Sequence, residues 1–273
     1  MSTVDIDTAL AVVAAAAAHD GADPIDEATT MALRDGAAHA HGDARGVTLW
    51  VGDDLTLVVH PEHRGQGLGA ALLTAATTGR TGAATAWSHG NHPAAAALAH
   101  SYGWQRTRDL WVMRRPSTDL PALDVASGTT VRGFRDADAE DVVAINAAAF
   151  AHHPEQGAMD LAQFARRRQE DWWDPAGLLV AELDGELAGF HWTKIHPGPV
   201  GVGEVYVVGI APHAQGRGLG RLLTLAGLHH LAGRGVGEVI LYVESDNAAA
   251  IHTYERLGFT HSDVDTHVQY SLA

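Results

Sequence analysis

The 273-residue chain contains no cysteine, which excludes a disulfide framework and any thiolate metal site. It is almost without lysine; Lys194 is the only one. Thirty-three acidic residues stand against 18 basic ones, for a formal net charge of −15. A chain this acidic is repelled by a phosphate backbone, so nucleic-acid binding is not expected and a neutral or cationic substrate suits it better. No apolar run in the sequence reaches the length of a membrane span. The run from Ala9 to Ala18 follows Asp5 and Asp7 and lacks a basic leader, so it reads as an alanine-rich helix and not as a signal peptide. Histidines pair at His39/His41, His60/His63, His152/His153 and His229/His230, but there is no H-E-x-x-H, and solvated loops account for such pairs. The expectation is a monomeric, cytoplasmic protein with no metal and no membrane or nucleic-acid partner.

What the chain does have is a strand that breaks into glycines. Val205-Tyr206-Val207-Val208-Gly209-Ile210 is apolar and β-branched, as suits a strand buried on both faces. After Pro212 come Gln215, Gly216, Arg217, Gly218, Leu219, Gly220 and Arg221, then leucines at helical spacing. A helix that starts at such a junction presents unpaired N–H groups and the positive end of its dipole. Glycines let a ligand approach that backbone, so the stretch suits a pyrophosphate. It is not a P-loop, which needs Gly-Lys-Ser/Thr, and it spells G-x-G-x-G where a dinucleotide fold has G-x-G-x-x-G. Gln-x-x-Gly-x-Gly after a strand resembles the pyrophosphate loop of the GNAT family of acyl-CoA-dependent N-acetyltransferases.

The pattern occurs twice. Arg64-Gly65-Gln66-Gly67-Leu68-Gly69 precedes a helix through Leu72 and Leu73, and each glycine lies 151 residues before its counterpart. Tyr102-Gly103-Trp104 matches Leu257-Gly258-Phe259 at an offset of 155. Matches at a nearly constant offset indicate a duplicated domain. The expected class is mixed α/β, with two tandem GNAT-type domains, each a twisted central sheet flanked by helices. The expected boundaries are 1–116, a Pro-containing linker at 117–127, and 128–273. Helices are expected at 8–18, 26–35, 138–150, 160–170 and 247–257. Strands are expected at 47–51, 55–60, near 129, and at 178–183, 186–194, 203–211 and 239–243.

Amide formation from a thioester requires that the amine lose a proton and the departing thiolate gain one. Glu204, just before the central apolar run, has the chemistry of a base; a strand-end surface glutamate is the plain alternative. Tyr254, on the helix after Asn247, has a phenol that can serve a leaving thiolate; a packed core tyrosine is the plain alternative. Asn247 suits either a helix cap or a CoA contact. The first half lacks this pair, since position 53 is Asp53 and position 99 is Ala99. It is therefore expected to be catalytically silent.

Longer strings narrow the resemblance. His153-Pro154-Glu155-Gln156-Gly157, Gly189 to Lys194, Gly203 to Gly209 and Leu241 to Asn247 resemble the mycothiol synthase family of tandem GNAT enzymes. That resemblance implies acetylation of the cysteinyl amine of cysteinyl-glucosaminyl-inositol, with acetyl-CoA as cosubstrate and no metal. It implies Glu204 as base and Tyr254 as acid. It gives the reacting acetyl-CoA to Val208, Gly209, Ile210 and the loop Gln215, Gly216, Arg217, Gly218, Leu219, Gly220, Arg221. Asn247, Ala248, Ala249, Ala250, Ile251 and His252 complete that site. A second acetyl-CoA falls to Leu57, Val58, Val59, Gly65, Gln66, Gly67, Leu68, Gly69 and Ala70. The substrate falls to Glu27, Glu155, Lys194, Glu204 and Tyr242. Two further readings fit the same motifs: a tandem GNAT acting on an aminoglycoside or peptide amine, and a non-catalytic CoA-binding sensor.

Overall fold

The computed structural model describes residues 2–151, 156–196 and 201–272. Two compact units divide the chain. The first comprises residues 1–111 with 262–273, and the second residues 112–261.

In the first unit, helix α1 (Ile6–Asp20) starts where the Asp5 carboxylate accepts from Thr8 N at 2.8 Å. It ends at Gly21 in the left-handed conformation, φ 72°. Its buried face is Ala9, Val12, Val13 and Ala16, the one-sided spacing of an amphipathic helix. Helix α2 (Glu27–Arg34) follows, capped by Asp26. Strands β1 (His39–Asp43), β2 (Gly46–Val51) and β3 (Asp54–Val59) form an antiparallel meander. α1 packs its apolar face over Ala40, Val47, Leu49 and Val58 of these strands. Helix α3 (Leu68–Thr77), strand β4 (Ala84–Ser88), helix α4 (Pro93–Ser101) and strand β5 (Gln105–Pro116) come next. β5 crosses the boundary between the units at Trp111. The last strand of the chain, β11 (Thr260–Leu272), pairs antiparallel with β4 from Val268↔Ser88 to Leu272↔Ala84. The unit's strand order is β1-β2-β3-β4-β11-β5.

The second unit repeats the plan at larger size. Strand β6 (Thr129–Gly133), helices α5 (Ala139–Ala149) and α6 (Leu161–Arg167), and strands β7 (Leu178–Leu183) and β8 (Glu186–His196) lead to the central strand β9 (Val202–Ile210). Helix α7 (Leu219–Gly233), strand β10 (Glu238–Glu244) and helix α8 (Ala248–Arg256) follow. β6 to β9 are antiparallel neighbours in sequence order, β10 runs parallel to β9, and the end of β5 flanks β10. The β7–β8 turn places Asp184 and Gly185 at positive φ, as a two-residue hairpin requires. Trp192, Phe190, Phe164, Leu178, Val180 and Leu223 form the centre of the core, all at most 1 % exposed. Trp192 meets Phe164, Trp173 and Tyr206 edge to face at 5.2–5.5 Å.

Helix and strand ends differ from the expected ones by a few residues, where capping decides them. Asn247 lies outside α8 as its cap, and α6 stops at Arg167. β1, with the sequence His-Ala-His-Gly-Asp, carries no apolar alternation; its pairing with β2 makes it a strand.

Candidate active site

The site of the second unit begins with a disturbance in β9. Opposite Trp192 lies Val207, and opposite Thr193 lies Val205, so Tyr206 is an extra residue, a β-bulge. On its other edge β9 pairs with β10 from Val202↔Glu238 to Val205↔Leu241 and no further, although the strands run on to Ile210 and Glu244. Past Val205 the two parallel strands separate. The backbone polar groups of Val208, Gly209 and Ile210 on that side are left for an extended ligand bearing amides.

β9 feeds α7 through Gln215, Gly216 and Arg217. Gly216 (φ 75°) and Gly218 (φ 79°) are left-handed, and Gly218 caps α7 without a side-chain hydrogen bond. By contrast, Asp5, Asp26, His92, Asp160 and Asn247 each give a side chain to the start of their helices. A Cβ at Gly216 or Gly218 would meet no atom within 4 Å. The amides of Leu219, Gly220 and Arg221 thus begin a helix that has no side-chain cap, and this donor set fits a pyrophosphate.

Glu204 lies in β9 one residue before the ladder with β10 ends, and it is only 5 % exposed. Its cross-strand partner on β8 is Lys194. Directly opposed residues share a face of the sheet, so the Glu204 carboxyl group and the Lys194 cation flank one another there. The Lys194 ammonium stands over the rings of Trp172 (4.7 Å) and Tyr206 (5.2 Å). Glu204 Oε2 is held at 2.6 Å by Nε2 of His196, two residues along β8 from Lys194. His196 is a residue that motif reading missed. Its signal was present in the period-2 spacing Lys194, His196, once the strand was extended beyond Lys194.

Tyr254 sits on α8, half-buried, with its ring against Phe259 at 5.9 Å. Burial pushes its hydroxyl up to about 12, so the phenol stays protonated well above neutrality. The Asn247 side chain accepts from Ala250 N at 3.2 Å, a helix cap. Ala248, Ala249, Ala250, Ile251 and His252 make the first turns of α8. Tyr242, 40 % exposed, lies on β10 just past the last paired residue, Leu241. Glu27 is in the first unit, the first residue of α2. Glu155 lies outside the described residues.

The first unit has the same design at smaller scale. β3 runs parallel to β4 for only Asp54↔Thr85 and Leu55↔Ala86, leaving Leu57, Val58 and Val59 beyond the paired stretch. Gly65 (φ 72°) and Gly67 (φ 79°) repeat the left-handed pair, and Gly67 starts α3 with no side-chain cap. Gly65, Gly67, Leu68, Gly69 and Ala70 line a cavity of about 560 Å³, together with Leu57, Val58, Val59, Ala99 and Tyr270. Gln66 is not among its lining; its amide donates to Glu62 O. Arg64, where the second unit has Gln215, braces the loop. Its Nε donates to Val59 O at 3.1 Å, and its two terminal guanidinium nitrogens grip Asp20 at 2.6 and 2.7 Å. That grip holds the Asp20 carboxyl down at about 2. At the positions that match Glu204 and Tyr254, Asp53 sits on the exposed β2–β3 turn, paired with Arg80, and Ala99 has no ionisable side chain.

No group of three or more metal-binding side chains occurs among the described residues, and no described helix is long and apolar enough to cross a membrane.

Comparison with known proteins agrees with this duplicated geometry. The model of the acetyltransferase (GNAT) family matches residues 145–259, and that of the acetyltransferase (GNAT) domain matches residues 25–106. The fold recurs in a GCN5-related N-acetyltransferase from Sphaerobacter thermophilus (TM-score 0.70, 23 % identity, 98 % of this chain and 93 % of that one). It recurs too in a tandem GNAT protein from the clavulanic acid biosynthesis pathway (TM-score 0.70, 22 % identity, 98 % and 94 %). The chain belongs to the GNAT acetyltransferases, as two tandem domains, and so is an enzyme that uses acetyl-CoA as cosubstrate. Relatives that match over nearly their whole length narrow the family. The mycothiol acetyltransferase of Nocardioides sp. is 58 % identical over 97 % of both chains. That of Thermobispora bispora is 47 % identical, over 96 % of this chain and 94 % of its own. Within the GNAT enzymes, the chain belongs with the mycothiol acetyltransferases.

Proposed function

We propose that the chain acetylates the cysteinyl amine of cysteinyl-glucosaminyl-inositol, giving mycothiol and CoA, and that the second unit carries the reaction. The observation that supports this most directly is the buried carboxylate of Glu204 beside the point where β9 leaves β10. When bound, acetyl-CoA supplies the acetyl group as an activated thioester. The amides of Val208, Gly209 and Ile210 suit its extended arm. The loop Gln215, Gly216, Arg217, Gly218, Leu219, Gly220, Arg221 suits its pyrophosphate, with the start of α8 alongside. Glu204 takes the proton of the substrate ammonium, directly or through water, and leaves a neutral amine to attack. Tyr254, with its proton held to about pH 12, offers a hydrogen bond to the departing sulfur. Lys194 and Tyr242 of the second unit, with Glu155, bind the hydroxyl-rich body of the substrate. The first unit holds a second acetyl-CoA without turning it over, since it has no counterpart to Tyr254. On this reading the protein works as a monomer in the cytoplasm, without nucleic-acid or membrane partners. Its net charge of −15 supports the absence of nucleic acid.

The test is mass spectrometry of products after incubation with acetyl-CoA and a panel of amines. The panel includes cysteinyl-glucosaminyl-inositol, an aminoglycoside and a short peptide. Preferential acetylation of the first is expected. Preference for another amine, or for none, removes the substrate assignment. A thiol dye is unsuitable, because this substrate carries its own thiol.

A further inference from the structure

His196 is not accounted for by any role given so far. It ends β8, one cross-strand diagonal from Glu204, and its Nε2 lies 2.6 Å from Oε2 of that carboxylate. The carboxylate is nearly sealed, with 7 % of its side chain exposed, whereas 35 % of the imidazole is exposed. A buried carboxylate has two equivalent oxygens and a free terminal torsion, so it can point in several directions unless something holds it. Lys194 is the direct cross-strand partner of Glu204 on the same face, and an ammonium there would draw the carboxylate into an ion pair. A base engaged that way is poorly placed to receive a proton from substrate. In the structure the Lys194 ammonium rests over the faces of Trp172 and Tyr206, while Glu204 accepts from His196.

We propose that His196 is a positioning residue for Glu204: its Nε2–H occupies Oε2, fixes the carboxylate rotamer, and leaves Oε1 to meet the substrate amine. This rests on Glu204 acting as the base. It requires that Nε2 carry the ring proton, since a carboxylate can only accept. Glu238 is also near on this face of the sheet, opposite Val202, but it is bonded to Arg114 at 3.0 Å.

The experiment is single-turnover kinetics on His196→Ala, His196→Gln, Glu204→Gln and the His196→Ala/Glu204→Gln pair. Acetyl-CoA and cysteinyl-glucosaminyl-inositol are the substrates, and melting curves report folding. His196→Ala should slow acetyl transfer roughly ten- to a hundredfold, the span of a hydrogen bond to a charged group. The apparent affinity for acetyl-CoA should stay within about twofold of wild type. His196→Gln places an amide N–H near the same oxygen and should recover most of the loss. In the Glu204→Gln background His196→Ala should cost little more, because the two residues act as one unit. A second readout is free of turnover: ¹⁵N NMR of the unliganded protein should show Nε2 as the protonated ring nitrogen, with the preference lost in Glu204→Ala. Full activity in His196→Ala while Glu204→Gln is inactive overturns the proposal alone. So do losses that multiply in the double variant, or a His196→Gln no better than alanine. Full activity in Glu204→Gln instead removes the base assignment on which the proposal stands.

Discussion

Acid should destabilise the second unit through one buried imidazole. His191 on β8 has no exposed surface, and its Nδ1 lies 2.8 Å from the carbonyl of Leu223 on α7. Nδ1–H therefore donates to that carbonyl, and Nε2 is left as an unprotonated nitrogen with no hydrogen-bond partner among the described residues. Desolvation drives the pKa down to about 4, and repulsion from His230, itself lowered by burial, acts in the same direction. The unfolded chain binds this proton near pH 6.5, and the native state does not until about pH 4. The neutral ring's contribution is thus whole above pH 6.5 and is lost as the pH falls through 4. Two and a half pH units correspond to about 3 kcal/mol, a large share of a typical domain stability of about 5–15 kcal/mol. The assay is urea unfolding from pH 7.5 to 4.5 for the wild type and His191→Gln, whose amide can still donate to Leu223. The variant should be weaker at pH 7.5, and the gap should close as the pH falls. Asp20 and Asp138, which arginines hold low, titrate in both proteins and cancel in the difference. Parallel pH profiles, or a His191 resonance that titrates near 6.5 in the folded protein, would refute the argument.

The other predictions concern the ligand loops and the reactive pair. Gly218 and Gly67 share φ 79° and open surroundings, so valine at either costs about the same backbone strain, roughly 1–2 kcal/mol. Gly218→Val should raise the acetyl-CoA requirement at least tenfold in steady-state kinetics while Gly67→Val leaves turnover largely intact; equal losses would end the silent-unit reading. Glu204→Gln should be partly rescued as pH rises past about 8, where a free α-amine dominates without a base. Tyr254→Phe should not be rescued by pH, but its defect should shrink with an acyl donor whose thiol is more acidic; identical behaviour of the two variants in pH–rate profiles would remove the division of roles. Gly227→Ala should cost about 1–3 kcal/mol in chemical denaturation, because the new Cβ would overlap the buried His191 ring; an unchanged midpoint would show that the ring can move.

Much of the second unit was legible because its signals are local. The apolar run at 205–210, the glycines at 216, 218 and 220, and the turn at Asp184-Gly185 each encode their own geometry. The duplication was legible because an offset of 151 is arithmetic and needs no structure. What escaped is non-local. Nothing within residues 262–272 says that they pair with β4, because a strand's partner is chosen by tertiary packing. The β9 bulge has no sequence signature, since Tyr206 reads as one more member of an apolar strand. His196 escaped for a related reason: Pro197 masks the continuation of the strand that brings it alongside Glu204.

The two units also separate what this fold does for binding from what it does for chemistry. Binding needs two backbone devices, a pair of parallel strands that part company and a helix that starts on a left-handed glycine. Both units have both devices, at β3/β4 with Gly67 and at β9/β10 with Gly218. Backbone devices tolerate wide side-chain change, which is why Arg64 can stand where the other unit has Gln215 and serve as a strut to Asp20. Chemistry needs side chains at particular points on that scaffold. His92 and Asn247 both cap the helix at equivalent positions, yet seven residues along each helix one unit has Ala99 and the other Tyr254. Likewise the carboxylate equivalent to buried Glu204 is Asp53, exposed on a turn and spent on Arg80. On the roles proposed for Glu204 and Tyr254, loss of the phenol and exposure of the carboxylate would remove proton transfer while leaving the backbone cradle whole. A duplicated acetyltransferase can thus keep two cradles and run its reaction in one.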